Sequence, residues 1–150
     1  MSKKRIQVDY NWDAETGKAT VTIIDHSINV KYIGEAVCHP ADEDMCSERT
    51  GLMLASYRAE KKALQGIRTN TLRPQLAVLK QLYYSMNQSK EFNEKSYENQ
   101  MLQSQIRSIK KQIDTVNYKI AMVDQKLRET IQEKEKFYQA VRKKRQGKTE

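Results

Sequence analysis

Few residues in this 150-residue chain are of a type and spacing that could do covalent or metal chemistry. His26 and His39 are the only histidines, and Cys38 and Cys46 the only cysteines. Cys38, His39 and Cys46, with His26 as a fourth group, are the one conceivable metal set. Their spacing matches none of the paired C-x-x-C or H-x-x-x-H patterns that place four ligands tetrahedrally. They read instead as ordinary cytosolic thiols, reduced in that compartment. The five glycines are scattered singly, so no Gly-rich loop exists to cradle phosphates. No histidine has a nucleophile and a carboxylate that could be nominated beside it. The sequence therefore nominates no catalytic residue, no metal ligand and no cofactor, and the expectation is a binding protein and not an enzyme.

What remains is a set of cations, rings and amides carried on predicted helices. Arg58 lies on the first; Tyr83 and Tyr84 end the second; Gln88, Phe92 and Asn93 follow at a turn; Arg107 and Lys110 come several turns into the third. A guanidinium offers a planar fork to phosphate oxygens, and an aromatic face offers a base something to stack on. Asparagine presents a donor and an acceptor to a base or ribose edge. Arg58, Tyr83, Phe92, Asn93, Arg107 and Lys110 are thus candidate ligand-binding residues for a nucleotide. Each has a plainer reading beside it. Tyr83 occupies a heptad position, where a ring serves first as core, and Arg107 and Lys110 also suit a solvated helix face.

The elements that must position these groups follow from periodicity. Ile6, Val8, Tyr10 and Trp12 alternate with polar residues, which is the period of a strand with one apolar face. Asp13 to Lys18 is turn chemistry, with Gly17 free to take a positive φ. A second strand carries Val21 and Ile23, and after Asp25-His26-Ser27 a third carries Ile28, Val30 and Tyr32 and runs on toward Val37. Three such strands form an antiparallel meander that needs a helix, or a second copy, over its apolar face. Pro40 closes the strand region. A helix should begin near Asp42 to Asp44, or at Ser47 as N-cap, and continue to Gln65, with Ala55, Ala59 and Ala63 allowing close approach. Gly66 and the polar Arg68 to Asn70 should weaken or bend it, and Pro74 suits the first turn of a second helix. Leu72, Leu76, Leu79, Tyr83 and Met86 line one side of that helix. The most regular pattern follows. Leu102, Ile106, Ile109, Ile113, Val116, Ile120, Val123 and Leu127 alternate steps of four and three, the seam of a coiled coil. Thr130 and Lys134 break the seam before Phe137 and Val141 resume it.

The expected fold is therefore α+β: a small N-terminal antiparallel β-meander over 1–40, then amphipathic helices over 41–146 forming a helical hairpin and coiled coil. The two would make one structural domain, with a basic tail at 142–150. The hydrophobic fraction is 38% and the charged fraction 31%. That is too polar for one chain to bury every helix face, so self-association is the default. Charge is concentrated at the end. Residues 101–150 hold 13 lysines and arginines against 6 acids, which is +7 of the chain's +8. Such a run, ending in Arg142-Lys143-Lys144-Arg145, attracts nucleic acid or phosphates when it is not simply a solvated helix end. No apolar run approaches the roughly 18 to 20 residues of a membrane span.

Order and spacing give one resemblance. Asp9-Tyr10-Asn11-Trp12-Asp13 with Thr16-Gly17, then Gly51-Leu52 and Tyr57-Arg58-Ala59-Glu60, then two longer helices, resemble the first family of phage Thoeris anti-defence proteins over the chain to about residue 115. Members of that family are sponges: they bind cyclic ADP-ribose isomers made by bacterial TIR-domain enzymes and hold them uncleaved, as dimers to hexamers, and some also hold cyclic oligonucleotides. The resemblance implies Arg58 on phosphate, Tyr83 as the aromatic before the helical turn, where phenylalanine is familiar, and Asn93 after it. The family's second, long-helix arginine has no clean counterpart; Arg107 or Lys110 would serve. It further implies a homo-oligomer, dimer or hexamer, in the cytoplasm of the infected bacterial host, with no membrane partner. Two rival readings rest on the same helices. One is a basic coiled coil binding nucleic acid, which a cut after Thr130 would disable while sparing a sponge. The other is a structural or adaptor coiled coil that binds nothing small.

Overall fold

A computed structural model of the chain describes residues 5–38, 47–88 and 97–147. Its architecture is α+β, an antiparallel sheet followed by helices, as the periodicities predict. Strands β1 (Ile6–Asp13), β2 (Lys18–Asp25) and β3 (Val30–Val37) form a meander in that order. The register sets Tyr10 opposite Val21 and Val21 opposite Gly34, with Trp12, Ala19 and Ala36 aligned two residues further along. Directly opposed residues share a face, so the alternating apolar side chains of all three strands lie together.

The turns follow their residue chemistry. Gly17 takes φ +68°, and its N–H donates to the Asp13 carbonyl at 2.8 Å. Periodicity puts Ile28 in the third strand, but it lies in the turn before it. Asp25 draws Ser27 into a local bend, and Asn29 adopts φ +53°. The short polar side chain of asparagine tolerates that conformation. The strand therefore starts at Val30.

Helix α1 (Glu48–Gly66) starts after Ser47, whose Oγ accepts the Thr50 N–H at 3.3 Å. This is an N-cap arrangement. The alternative start at Asp42 to Asp44 lies outside the described residues. Gly66 is where the helix changes type. Its backbone is helical, and a π-helical stretch (Ile67–Leu72) carries the chain into α2 (Arg73–Met86). Pro74 crowds the carbonyl four residues before it, that of Asn70. Asn70 falls in the wider π turn, which accommodates the proline without a break. The third helix, α3, spans Tyr97–Gly147. Cys38, expected as a free thiol, is disulfide-bonded; Cys46 lies outside the described residues.

The chain divides into two compact units. One comprises residues 1–63 and 121–150, the other 64–120. In the first, α1 covers the β2–β3 side of the sheet. Ala19, Val21, Ala55 and Ala59 are fully buried there, and a Cβ on Gly34 would overlap the Ala55 carbonyl and the Ala59 nitrogen. The alanines and the glycine let backbone meet backbone. Lys62 Nζ and Arg58 Nη1 each donate, at 2.7 Å, to the carbonyls of Ile33 and Glu35 along β3. These two carbonyls belong to an edge strand, and the cations one helical turn apart on α1 satisfy them. The C-terminal part of α3 joins this unit, with Lys61 paired to Asp124 at 2.6 Å and Val123, Leu127 and Tyr138 buried.

The second unit is a helical hairpin. Asn99 donates to Asn87, Gln103 to Tyr83 and Arg68 to Asn117, at 3.5, 3.1 and 2.7 Å. As the residue number rises on α3 it falls on the facing helix, which defines an antiparallel pair. Leu72, Val116 and Ile120 form its core, with Leu64 and Ile113 against them. The heptad seam is thus met here by the chain's own preceding helix.

Candidate functional site

In the first unit the cation spacing of α1 that seals the β3 edge also leaves donor capacity free. A guanidinium carries five N–H donors, and Arg58 uses one, on the Glu35 carbonyl. Arg58 and Lys134 border a recess of about 60 Å³. Trp12, Leu54 and Tyr138 supply its apolar walls, and Ser47 and Thr50 add hydroxyls. The Lys134 ammonium stands 5.5 Å from the centroid of the Tyr138 ring, within cation–π range. Tyr138 itself is only 4% exposed, so the cation is held over a fixed, buried ring. Among the described residues no carboxylate pairs with Arg58 or Lys134. The recess is a small electropositive pocket with aromatic walls, a combination that suits an anion attached to a ring.

The remaining candidates belong to the hairpin unit or lie outside the described residues. Tyr83 is half-buried on the α2 side facing α3, and Gln103 Nε2 donates to its hydroxyl. The same Gln103 amide donates to Asn99 Oδ1 at 2.8 Å, and Asn99 is fully buried. Tyr83 is therefore built into a polar chain across the hairpin as well as carrying a ring. Arg107 and Lys110 are exposed. They follow Gln103 on its face of α3 by one and two turns, so Arg107 is the cation nearer to Tyr83 along the helix. Phe92 and Asn93 lie outside the described residues. Arg58 stands in one unit and Tyr83, Arg107 and Lys110 in the other.

Sequence reasoning misses Trp12, Lys134 and Tyr138 as site residues. Their signal is present as a defect: Thr130 and Lys134 are where the heptad seam fails, and Lys134 lines the recess. No cluster of three or more potential metal ligands occurs among the described residues. His26 Nε2 lies 2.9 Å from Gln7 Oε1 on the exposed face of the β1–β2 pair. Among the described residues no helix is long and apolar enough to cross a membrane. Comparison with known protein families, curated proteins and solved structures finds no match to this chain.

Proposed function

We propose that the chain is a nucleotide sponge: it binds a cyclic ADP-ribose-type signal, glycocyclic ADP-ribose in the first instance, and withholds it without cleaving it. On this reading it is a phage counter-defence protein that blocks Thoeris immunity in the host cytoplasm, as a homo-oligomer. The observation that carries the reading is Arg58. The first-helix arginine that the resemblance singles out lies in an electropositive recess beside aromatic rings, with no carboxylate partner among the described residues. One of its five N–H donors is engaged there, which leaves the others for a ligand. Sequestration removes a dilute messenger stoichiometrically, so affinity should be near nanomolar, about −12 kcal/mol. Several charge-assisted hydrogen bonds to a pyrophosphate make that attainable.

Calorimetric titration with glycocyclic ADP-ribose, followed by heat denaturation and recovery of the ligand, tests it. Tight binding with intact ligand is expected, and Arg58→Ala should weaken it by about 10- to 100-fold, the loss of a hydrogen bond to charge. Degraded ligand would make the protein an enzyme. Unchanged affinity in the variant would remove Arg58 from the pocket.

A second reading rests on the exposed Lys143 and Lys144 near the end of α3. It makes the chain a sequence-indifferent nucleic-acid binder, whose affinity for duplex DNA would fall steeply between about 50 and 200 mM salt.

A further inference from the structure

A recess of about 60 Å³ admits a phosphate or part of a ring, not a whole nucleotide. It does not stand alone. A larger groove of about 430 Å³ shares Ser47, Thr50, Lys134 and Tyr138 with it. The added walls are Arg49 and Met53 from the first turns of α1, and Thr130, Glu133 and Phe137 from α3. All of these residues belong to the sheet-bearing unit. The groove volume falls in the range of small-molecule sites, roughly 300 to 1,000 Å³.

Its chemistry is uneven in a particular way. Among the described residues Arg49, Arg58 and Lys134 face it or its recess against a single carboxylate, Glu133, and none of the three cations forms an ion pair. One turn along the same helices from Arg49 and Lys134, Met53 and Phe137 are 37% and 58% exposed, apolar surface left in water at the groove wall. The Ser47 hydroxyl accepts the Thr50 N–H and keeps its own hydrogen to donate. The groove opens where the coiled-coil seam places Thr130 and Lys134 in positions that elsewhere hold Ile, Val or Leu. Replacing those two apolar positions removes the filling and brings in a cation.

We propose that this groove binds a nucleoside phosphate, with its phosphates against Arg49, Arg58 and Lys134 and its base against Phe137 and Met53. The inference rests on the nucleotide-sponge reading and adds to it the place where the ligand lies and the residues beyond 130 that hold it. Phosphate accounts for the unpaired cations, the exposed ring accounts for the base, and Ser47 is positioned for a ribose hydroxyl.

The full chain is titrated with glycocyclic ADP-ribose and with ADP, alongside Lys134→Ala, Phe137→Ala and the control Tyr118→Ala, an exposed α3 ring outside the groove. Phe137 is exposed, so its removal leaves the fold intact, which circular dichroism of each variant verifies. Binding of either ligand that weakens at least tenfold in Lys134→Ala and Phe137→Ala, but not in Tyr118→Ala, is the expected result. If ADP alone binds in this manner, the groove stands and the cyclic-signal reading falls. If glycocyclic ADP-ribose binds tightly and both variants stay within twofold of the parent, the sponge reading stands and the groove is overturned. Binding of neither ligand at millimolar concentration overturns both.

Discussion

Gln103 Nε2 donates to the Tyr83 hydroxyl at 3.1 Å, and the same amide donates to the buried Asn99 at 2.8 Å. Tyr83 thus has two parts with separable consequences, a hydroxyl used by the hairpin and a ring with one side toward α3. Tyr83→Phe removes the acceptor while Gln103 retains its bond to Asn99, so the cost should be about 1 kcal/mol. Tyr83→Ala also removes a half-buried ring and should cost about 3 kcal/mol. Urea denaturation of the two variants measures the difference. If Tyr83 also stacks on a nucleotide base, Phe preserves affinity and Ala lowers it about tenfold or more. Equal losses of affinity in both would mean that the ligand meets the hydroxyl, not the ring.

In the sheet-bearing unit Gly34 approaches the backbone of α1. A Cβ there would meet the Ala55 carbonyl and the Ala59 nitrogen, both backbone atoms that cannot swing aside. Gly34→Ala should therefore destabilise the unit by about 3 kcal/mol through overpacking, even though alanine suits a strand no worse than glycine. Val37→Ala, on an exposed side chain of the same strand, should change stability by less than about 1 kcal/mol. Thermal melts of the two variants decide this, and a Gly34→Ala protein as stable as the parent would show that α1 can lift off the sheet at little cost.

Strong periodicity is legible in the sequence, and its failures are informative too. The alternation in β1 and the heptads from Leu102 to Leu127 announce a strand and a long helix because each repeats one local rule many times. The alanines of α1 announce a close contact, although not that Gly34 is opposite them, since register across a sheet is a long-range property. Ile28 falls outside β3 because Asn29 and Asp25, not hydrophobicity, decide where that strand starts. Arg58 stands out in sequence, and the structure gives it neighbours, Trp12 and Tyr138, that are 46 and 80 positions away in the chain. No local pattern connects such residues; only the return of α3 to the sheet-bearing unit does.

Asp25 ties the β2–β3 turn to the N-terminal strand. Its Oδ1 accepts from the Ser27 hydroxyl at 2.5 Å and from the Ser27 N–H at 3.0 Å, and Arg5 Nε lies 3.8 Å away. The Ser27 hydroxyl chiefly holds this carboxyl below its ordinary 3.8; burial opposes that shift, while the Ser27 N–H, the Arg5 charge and the Ile28 backbone reinforce it. Each of these groups acts by favouring or disfavouring the charged form. A carboxylate with a depressed folded value contributes stability that is complete above the unfolded value and is lost as pH falls through the folded one. Asp25→Asn should therefore lower the urea midpoint at pH 7 and at pH 5 by the same amount. The gap between the two proteins should then narrow as pH drops below 3.8. A gap that stays constant down to pH 2.5 would assign the effect of the substitution to something other than the charge.

Two truncations separate the roles of the C-terminal residues. On sequence alone everything beyond Thr130 is dispensable for a sponge, but Tyr138 is 4% exposed and lies in the same compact unit as the sheet. A chain ending at Thr130 loses that ring together with Lys134 and Phe137. Removal of a buried aromatic costs about 3 to 5 kcal/mol, which for a chain of this size lowers the melting temperature by roughly 10 °C. Nucleotide affinity should fall with it, because the groove loses one wall. A chain ending at Val141 keeps all three residues and sheds the Arg142 to Arg145 run. It should bind nucleotide as well as the parent, while any affinity for duplex DNA disappears with the charges. If the shorter chain keeps both its melting temperature and its ligand, Tyr138 is not part of the core and the groove is not the site. If the longer one loses the nucleotide, the phosphates are held by the basic run instead.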